Sequence, residues 1–389
     1  MNVAISTTMI ERGKTGVAQY LFVLVRALLP HAGDHHFTLF VLEEDRPLLE
    51  FAVGAMTLAP VAEKYRSALR NIWWHQTVLP GLLRERQIDV FHVPSYRRLL
   101  WPKPCALVAT IHDLAPFHVA GKYDRARMFY GRTVVRQLAQ RQDAIIASSQ
   151  STARDIEQFF GIPVARQHVI HLGIDHDRFE PGDHAAAKKQ AAQRWQLARP
   201  FFLYVSRLEH PAKNHVRLIE AFNQFKTATN SGCQLVLVGA DWHGAEAIHA
   251  AALRSRFAGD IRFLGFVDDA LLPALYRAAD ALVYPSLFEG FGFPPVEAMA
   301  CGCPVISSAR GSLAEVVADA ADLVDPLNAS AIAAALDRVA TDAGYCDRLR
   351  AAGFRNAHRF NWQRHAEAVL GVYEAVVAQR KIARGGRRE

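Results

Sequence analysis

Short apolar runs rich in β-branched residues recur along the chain, and between them lie stretches whose apolar positions fall three or four residues apart. VAIS (3–6), FTLFVL (37–42), DVFHV (89–93), ALVATI (106–111), AIIAS (144–148) and HVIHL (168–172) are runs of the first kind. Their length and near-continuous apolarity predict strands buried on both faces. VAQYLFVLVRALLP (17–30) and RARMFYGRTVVRQLAQ (125–140) are of the second kind and predict amphipathic helices. Strand and helix in alternation predict an α/β domain built on a parallel sheet. At GIDHDRFEPGD (173–183) Pro, Gly and charge displace the pattern, which marks an interdomain linker.

The alternation then restarts. FFLYVS (201–206), QLVLVG (234–239), IRFLGF (261–266), ALVYPS (281–286) and PVISS (304–308) predict strands, with helices over 214–225, 269–279 and 330–340. The expected organisation is an N-terminal domain over 1–174, a second over 175–360 and a closing segment over 361–389. That segment begins with a long helix, NWQRHAEAVLGVYEAVVA (361–378), expected to return to the first domain, and ends in a basic tail, KIARGGRRE, expected to fray. Two such domains in tandem are expected to face each other across a cleft, with ligands at the carboxyl edges of the sheets.

Composition sharpens this picture. A chain of 389 residues exceeds one ordinary core, and 51% hydrophobic with 21% charged residues fits a globular enzyme rather than a disordered chain. Five cysteines, odd in number and in apolar surroundings, suggest a reducing compartment. Cys301-Gly-Cys303 lacks a second pair or a nearby histidine to complete a metal site. The start MNVAISTTMI has no secretory pattern, and no apolar run is long enough for a membrane span. The formal charge of +7 concentrates in residues 61–142, with 14 Lys or Arg against 5 Asp or Glu and interleaved aromatics, as in NIWWHQ (71–76) and YRRLLWPKP (96–104). Such a surface suits an anionic partner, either lipid headgroups or a nucleic-acid backbone.

The candidate chemistry is densest in FEGFGFPPVEAMACGCPV (288–305), which follows a strand. Pro294 and Pro295 suit the first turn of a helix and Gly302 its end, which places Glu297 on that first turn and Glu289 in the preceding loop. Phe291, Gly292 and Phe293 then bring backbone amides to a helix N-terminus, an anion site. Upstream, SRLEHPAKNH (206–215) puts Arg207 and Lys213 at the same sheet edge, where a fork and a point charge can close on one diphosphate. A glutamate beside cations has a lowered pKa and is a poor acid, so the carboxylates are expected to hold hydroxyls rather than to hydrolyse a glycoside. In the first half, TIHDLAPF (110–117) places His112 and Asp113 at a strand end, and ERGKTGVAQY (11–20) carries Gly13 and Gly16 in the loop before a helix. Asp268, after IRFLGF, can accept two hydrogen bonds from guanine or can cap the helix that follows. Asp175-His176-Asp177 has the form of a metal-carrying D-x-D but falls in the linker.

SRLEHPAKNHVRLIEAF (206–222), FLGFVDD (263–269) and FEGFGFPPVEAMACGCPVI (288–306) together resemble the retaining glycosyltransferases of family 4, and the resemblance covers nearly the whole chain. It implies the GT-B fold, two Rossmann-like parallel-sheet domains. It implies that Arg207 and Lys213 neutralise the donor's diphosphate, and that Glu289 binds hydroxyls of the donor sugar. Glu297 would take the ribose hydroxyls, Phe291, Gly292 and Phe293 would approach sugar and phosphate through their backbone, and Asp268 would lie by the base. His112 would lie by the donor sugar, and Gly16 would let backbone approach its phosphate. Where the family often has Pro before the glutamate after PVISS, this chain has Ala314. Mannosyl- and rhamnosyltransferases of bacterial surface-polysaccharide assembly are most similar. The implied substrates are GDP-mannose and a glycan or polyprenyl-diphosphate-linked acceptor, with no metal and no other cofactor. The implied location is the cytoplasm, at the anionic inner face of the plasma membrane, with no nucleic acid as partner. The alternatives are a UDP-sugar transferase or epimerase of the same architecture, and a non-catalytic nucleic-acid binder.

Overall fold

A computed structural model describes residues 1–13, 15–118 and 129–385. The chain forms two compact units, one of residues up to Gly173 together with those from Trp362 onward, the other Ile174–Asn361. The first is built on seven parallel strands: β1 (Asn2–Ser6), β2 (His36–Leu42), β3 (Thr57–Val61), β4 (Val90–Val93), β5 (Ala106–Ile111), β6 (Ala144–Ala147) and β7 (Gln167–Val169). Their order is β3-β2-β1-β4-β5-β6-β7. The second has six parallel strands: β8 (Phe201–Val205), β9 (Gln234–Val238), β10 (Ile261–Gly265), β11 (Ala281–Tyr284), β12 (Val305–Ser308) and β13 (Asp322–Val324), in the order β10-β9-β8-β11-β12-β13. Strand order reverses between β1 and β4 in one sheet and between β8 and β11 in the other. At such a switch point neighbouring connections leave on opposite faces and open a crevice at the carboxyl edge.

Two strands escape the apolar pattern. TLAPV forms β3 at a sheet edge, where Pro60 need not donate to a further neighbour. DLV forms β13, a three-residue edge strand too short to produce a run. The helix Gly16–Leu28 follows its pattern: Tyr20, Leu21, Leu24, Val25 and Leu28 are buried, and Thr15 caps it by accepting from the Ala18 amide at 3.1 Å. The closing helix, Trp362–Gly385, belongs to the first unit and packs against Gly16–Leu28. It runs on to Gly385, through the first five residues of the tail expected to fray, and Arg380 just before them donates to the carbonyls of Cys105 and Lys103. Of the helix expected over 125–140, residues 125–128 lie outside the described residues. The rest is a π-helical turn, Gly131–Val135, followed by Arg136–Gln140.

Gly239, at the end of β9, has φ +145°, and a Cβ there would lie 2.0 Å from the Ser206 carbonyl oxygen. Only glycine lets the exit of β8 pass this close, and the residue after Ser206 in that exit is Arg207.

Candidate active site

The loops after β8 and β11 are pinned to each other at the switch point. Asn214, buried and in the left-handed region at φ 60°, donates its two amide hydrogens to the carbonyls of Pro285 and Pro326 at 2.9 and 2.7 Å. The Leu287 amide donates to the Ala212 carbonyl at 3.0 Å. Lys213 is thereby delivered to Glu289: Nζ lies 2.6 Å from Oε1, with both side chains about 15% exposed or less. The Tyr284 hydroxyl donates to the same oxygen at 2.9 Å, and the Tyr204 hydroxyl holds the Lys213 carbonyl at 2.5 Å. Burial pushes the Glu289 carboxyl up, but the Lys213 charge and the hydrogen bonds to it outweigh burial and hold it below its usual value. Glu289 is therefore an anion at neutral pH, suited to accepting hydroxyl protons and unsuited to acid catalysis.

Glu297 has different surroundings. Phe293, not Pro294, opens the helix Phe293–Ala300, so Glu297 falls on its second turn rather than the first. Its Oε2 accepts from the Tyr276 hydroxyl at 2.9 Å. Burial, only partly offset by Tyr276 and Arg178, raises its carboxyl to about 7. The sequence argument that cations depress both carboxylates thus holds for Glu289 alone. Arg207 is also apart from this pair: it donates to Glu209 Oε2 at 3.2 Å and lies 4.9 Å over the Trp242 ring, half exposed.

The turn between the glutamates is held by Ser312, whose Oγ is 2.8 Å from the Glu289 carbonyl and 3.1 Å from that of Phe291. Gly292 has φ +99°, and a Cβ on it would meet Leu313 Cδ2 at 2.5 Å. Phe291 is buried against Phe293 and Phe360, with ring centroids 5.2 and 5.3 Å away. Asp268 takes the capping role, its Oδ1 accepting from the Ala270 amide at 2.9 Å. The D-x-D carboxylate Asp175 likewise binds backbone, the amides of Asp177 and Arg178 at 3.2 and 3.1 Å. Among the described residues no group of three His, Cys, Asp or Glu side chains is placed to hold a metal.

In the first unit His112 follows β5 directly. Burial lowers its pKa to about 4, and its Nε2 is shut off from solvent with no hydrogen-bond partner among the described residues. Asp113 turns away to accept from the Ala115 amide at 2.9 Å. Gly16 opens its helix, and nothing lies within 4 Å of where its Cβ would be. Tyr204, Tyr276, Tyr284 and Ser312 were not among the residues singled out from sequence. A tyrosine near the end of an otherwise apolar strand, as in FFLYVS and ALVYPS, is the signal that marks two of them.

Residues 186–356 match the family model of glycosyl transferases group 1, and residues 14–178 that of glycosyltransferase family 4. O-antigen chain mannosyltransferase B of Escherichia coli is 30% identical over 293 residues, which cover 75% of this chain and 76% of the relative. The chain belongs to glycosyltransferase family 4. Solved structures agree on the GT-B fold of this family 4 glycosyltransferase. Sucrose-phosphate synthase from Thermosynechococcus elongatus matches with a TM-score of 0.77 at 22% identity, over 97% of this chain and all (100%) of that one. Anabaena HepE in complex with UDP-glucose matches with 0.75 at 21% identity, over 96% and 100%.

Proposed function

We propose that this glycosyltransferase moves a mannosyl group from GDP-mannose to a glycan carried on a polyprenyl diphosphate, with retention at the anomeric carbon and without a metal ion. The observation that carries this reading is the Lys213–Glu289 pair, fixed at the switch point between β8 and β11. A cation and an anion at one sheet edge match the two ends of a sugar diphosphate. Lys213, Arg207 and the amides of 290–293 stabilise charge as it grows on the departing diphosphate, and such preorganised groups carry the largest catalytic contribution in sites of this type. A phosphate oxygen takes the acceptor hydroxyl's proton on the face from which the diphosphate leaves. Glu289 accepts from the sugar's hydroxyls, Glu297 from the ribose, His112 from the sugar, and Gly16 leaves room for phosphate. The Escherichia coli relative, named for mannosyl transfer, supports mannose.

One observation favours a uridine donor instead: Asp268 Oδ1 is engaged with Ala270, leaving one oxygen for a base. Thermal-shift titration with GDP, UDP and their sugars, followed by turnover in EDTA, separates the readings. The expected result is the largest shift with GDP-mannose and turnover intact in the chelator. A larger shift with UDP-glucose moves the reading to uridine, and activity lost in EDTA and rescued by manganese rejects the metal-free mechanism.

We further propose that the first unit rests on an anionic membrane at the cytoplasmic face, where a lipid-linked acceptor would be met. In the helix Ala68–Thr77, Asn71, Trp74 and His75 face inward while Leu69 and Trp73 are 80% and 54% exposed. Gln76 ties this helix to the Leu99 carbonyl and the Trp101 amide at 2.7 and 2.9 Å. Trp101 is itself exposed, with the Arg141 guanidinium 4.4 Å over its ring. Exposed Lys64, Arg70 and Arg97 complete an aromatic and cationic face, each cation worth about 1 kcal/mol at an anionic bilayer. Among the described residues no helix is long and apolar enough to cross a membrane. Flotation with phosphatidylglycerol vesicles should capture the protein, and a Leu69→Glu/Trp73→Glu variant should bind about tenfold less or weaker still. Equal capture of the variant, or retention on DNA instead of vesicles, rejects the membrane reading.

A further inference from the structure

The first unit carries a chain of buried hydrogen bonds that the proposed reaction does not itself use. His365 and Tyr373 stand on the helix Trp362–Gly385, Tyr20 on Gly16–Leu28, His92 on β4 and Thr110 on β5, and all five are buried. His365 Nδ1 is 2.9 Å from the His171 carbonyl. A carbonyl only accepts, so Nδ1 carries the proton, and burial, which lowers this ring to about 4, keeps it neutral. Nε2 is then a bare acceptor, and the Tyr20 hydroxyl 3.4 Å away donates to it. With that proton committed, Thr110 Oγ1, 3.4 Å from Tyr20 Oη, is the donor in their contact. Thr110 in turn accepts from His92 Nε2 at 2.8 Å, which leaves His92 Nδ1 to accept from the Tyr373 hydroxyl at 2.7 Å. One carbonyl thus sets the direction of the whole series.

The anchored Tyr20 ring stands edge-on to the His112 imidazole, with centroids 4.5 Å apart and planes at 72°. His365 and Trp362 flank the other sides of Tyr20 at 5.6 and 6.1 Å. His112 donates to the Pro94 backbone, and since Nε2 has no partner among the described residues, Nδ1 is the donor. Nε2 therefore holds a lone pair out of solvent with nothing to accept from. Such an atom is costly in an empty site and useful in an occupied one.

We propose that Tyr20, anchored by His365, is a positioning residue that holds the His112 ring in the orientation in which Nδ1 donates to the Pro94 backbone and Nε2 is presented to a hydroxyl of the substrate. The proposal rests on the glycosyl-transfer reading for the identity of that hydroxyl. Rotation of the imidazole by a few tens of degrees would take the lone pair off its target, and misplacement on that scale costs about a hundredfold in rate.

Long-range proton–nitrogen NMR of histidine-labelled protein reads each ring's tautomer directly, with no substrate present. The wild-type protein should give one sharp, unprotonated-type Nε2 resonance for His112. Tyr20→Phe keeps the ring wall but loses the hydrogen bond to His365 Nε2, and should broaden that resonance less than Tyr20→Leu. Tyr20→Leu should broaden or average it and lower kcat about tenfold to a hundredfold, with donor KM nearly unchanged. His365→Leu, which strips the Tyr20 proton of its acceptor, should broaden it as well. A sharp, unmoved resonance in His365→Leu and Tyr20→Leu overturns the proposal, and if Tyr20→Leu does not fold, His365→Leu decides alone. A disturbed tautomer with unaltered turnover removes His112 from contact with substrate and also overturns it. Failure of the glycosyl-transfer reading registers separately, as absence of nucleotide-sugar binding in a protein whose His112 resonance is still sharp.

Discussion

Replacing Lys213 by methionine should lower kcat/KM by about 10²–10³-fold, the usual cost of removing one preorganised charge-stabilising group. The variant should also lose about 3–5 kcal/mol of stability at neutral pH, because Glu289 is left buried with Tyr284 but without its cation. The pair Lys213→Met/Glu289→Gln separates the two effects. Glutamine carries no charge and still accepts from Tyr284, so most of the stability should return while turnover stays low. The pH dependence follows from the same pair. The depressed Glu289 value makes its ionic contribution present above the ordinary glutamate range and lost as pH falls through the lower folded value. In Lys213→Met that slope should reverse, the variant becoming more stable on acidification as Glu289 takes up a proton. Denaturant unfolding from pH 4 to 8, beside steady-state kinetics, reads both. A single variant as stable as wild type would show that the ion pair is not the buried unit described above.

Glu297→Gln should have the opposite balance, a gain in stability and a loss of donor affinity. With its carboxyl raised from 4.5 to about 7, Glu297 is protonated in the folded chain at pH values where the unfolded chain has released the proton. Stability is therefore undiminished by this group below about 4.5, falls as pH rises to about 7, and is lower by on the order of 3 kcal/mol above that. Glutamine removes the penalty and keeps an acceptor for Tyr276, so at pH 8 the variant should be the more stable protein. Binding runs the other way. If ribose hydroxyls donate to the carboxylate, donor affinity in the wild type should rise as pH passes 7, and glutamine should weaken it about tenfold and flatten the profile. Calorimetric titration of the preferred nucleotide at pH 6 and 8 checks this, and a pH-independent affinity in the wild type would separate Glu297 from the nucleotide.

What could be read from the sequence was what local pattern encodes. The strands of both sheets that are buried on two faces announce themselves as apolar runs, and their loops carry Arg207, Lys213 and Glu289 to predictable edges. β3 and β13 were missed because an edge strand needs neither length nor continuous apolarity. The error over Glu297 has a different origin. Its pKa is set by burial, which Tyr276 and Arg178, 21 and 119 positions away in the chain, only partly offset, and no spacing rule brings that environment to one place. Arg207 is the converse case: sequence placed it correctly in the loop beside Glu209, but Trp242, over which its side chain lies, comes near only once β9 lies beside β8. The network around Tyr20 was beyond reach for the same reason, since His365 is 345 residues from its partner.

The membership of Trp362–Gly385 in the first unit has a consequence for how the protein comes into being. During translation Met1–Gly173 emerges ahead of the second unit, yet His92 and Tyr20 have no Tyr373 and His365 to meet until all of Ile174–Asn361 has been made. The second unit is continuous in the chain and can close while the ribosome is still at work. The unit begun earlier is thus completed later, and until then the helix Gly16–Leu28 and strands β4, β5 and β6 lack the cover that Trp362–Gly385 will give them.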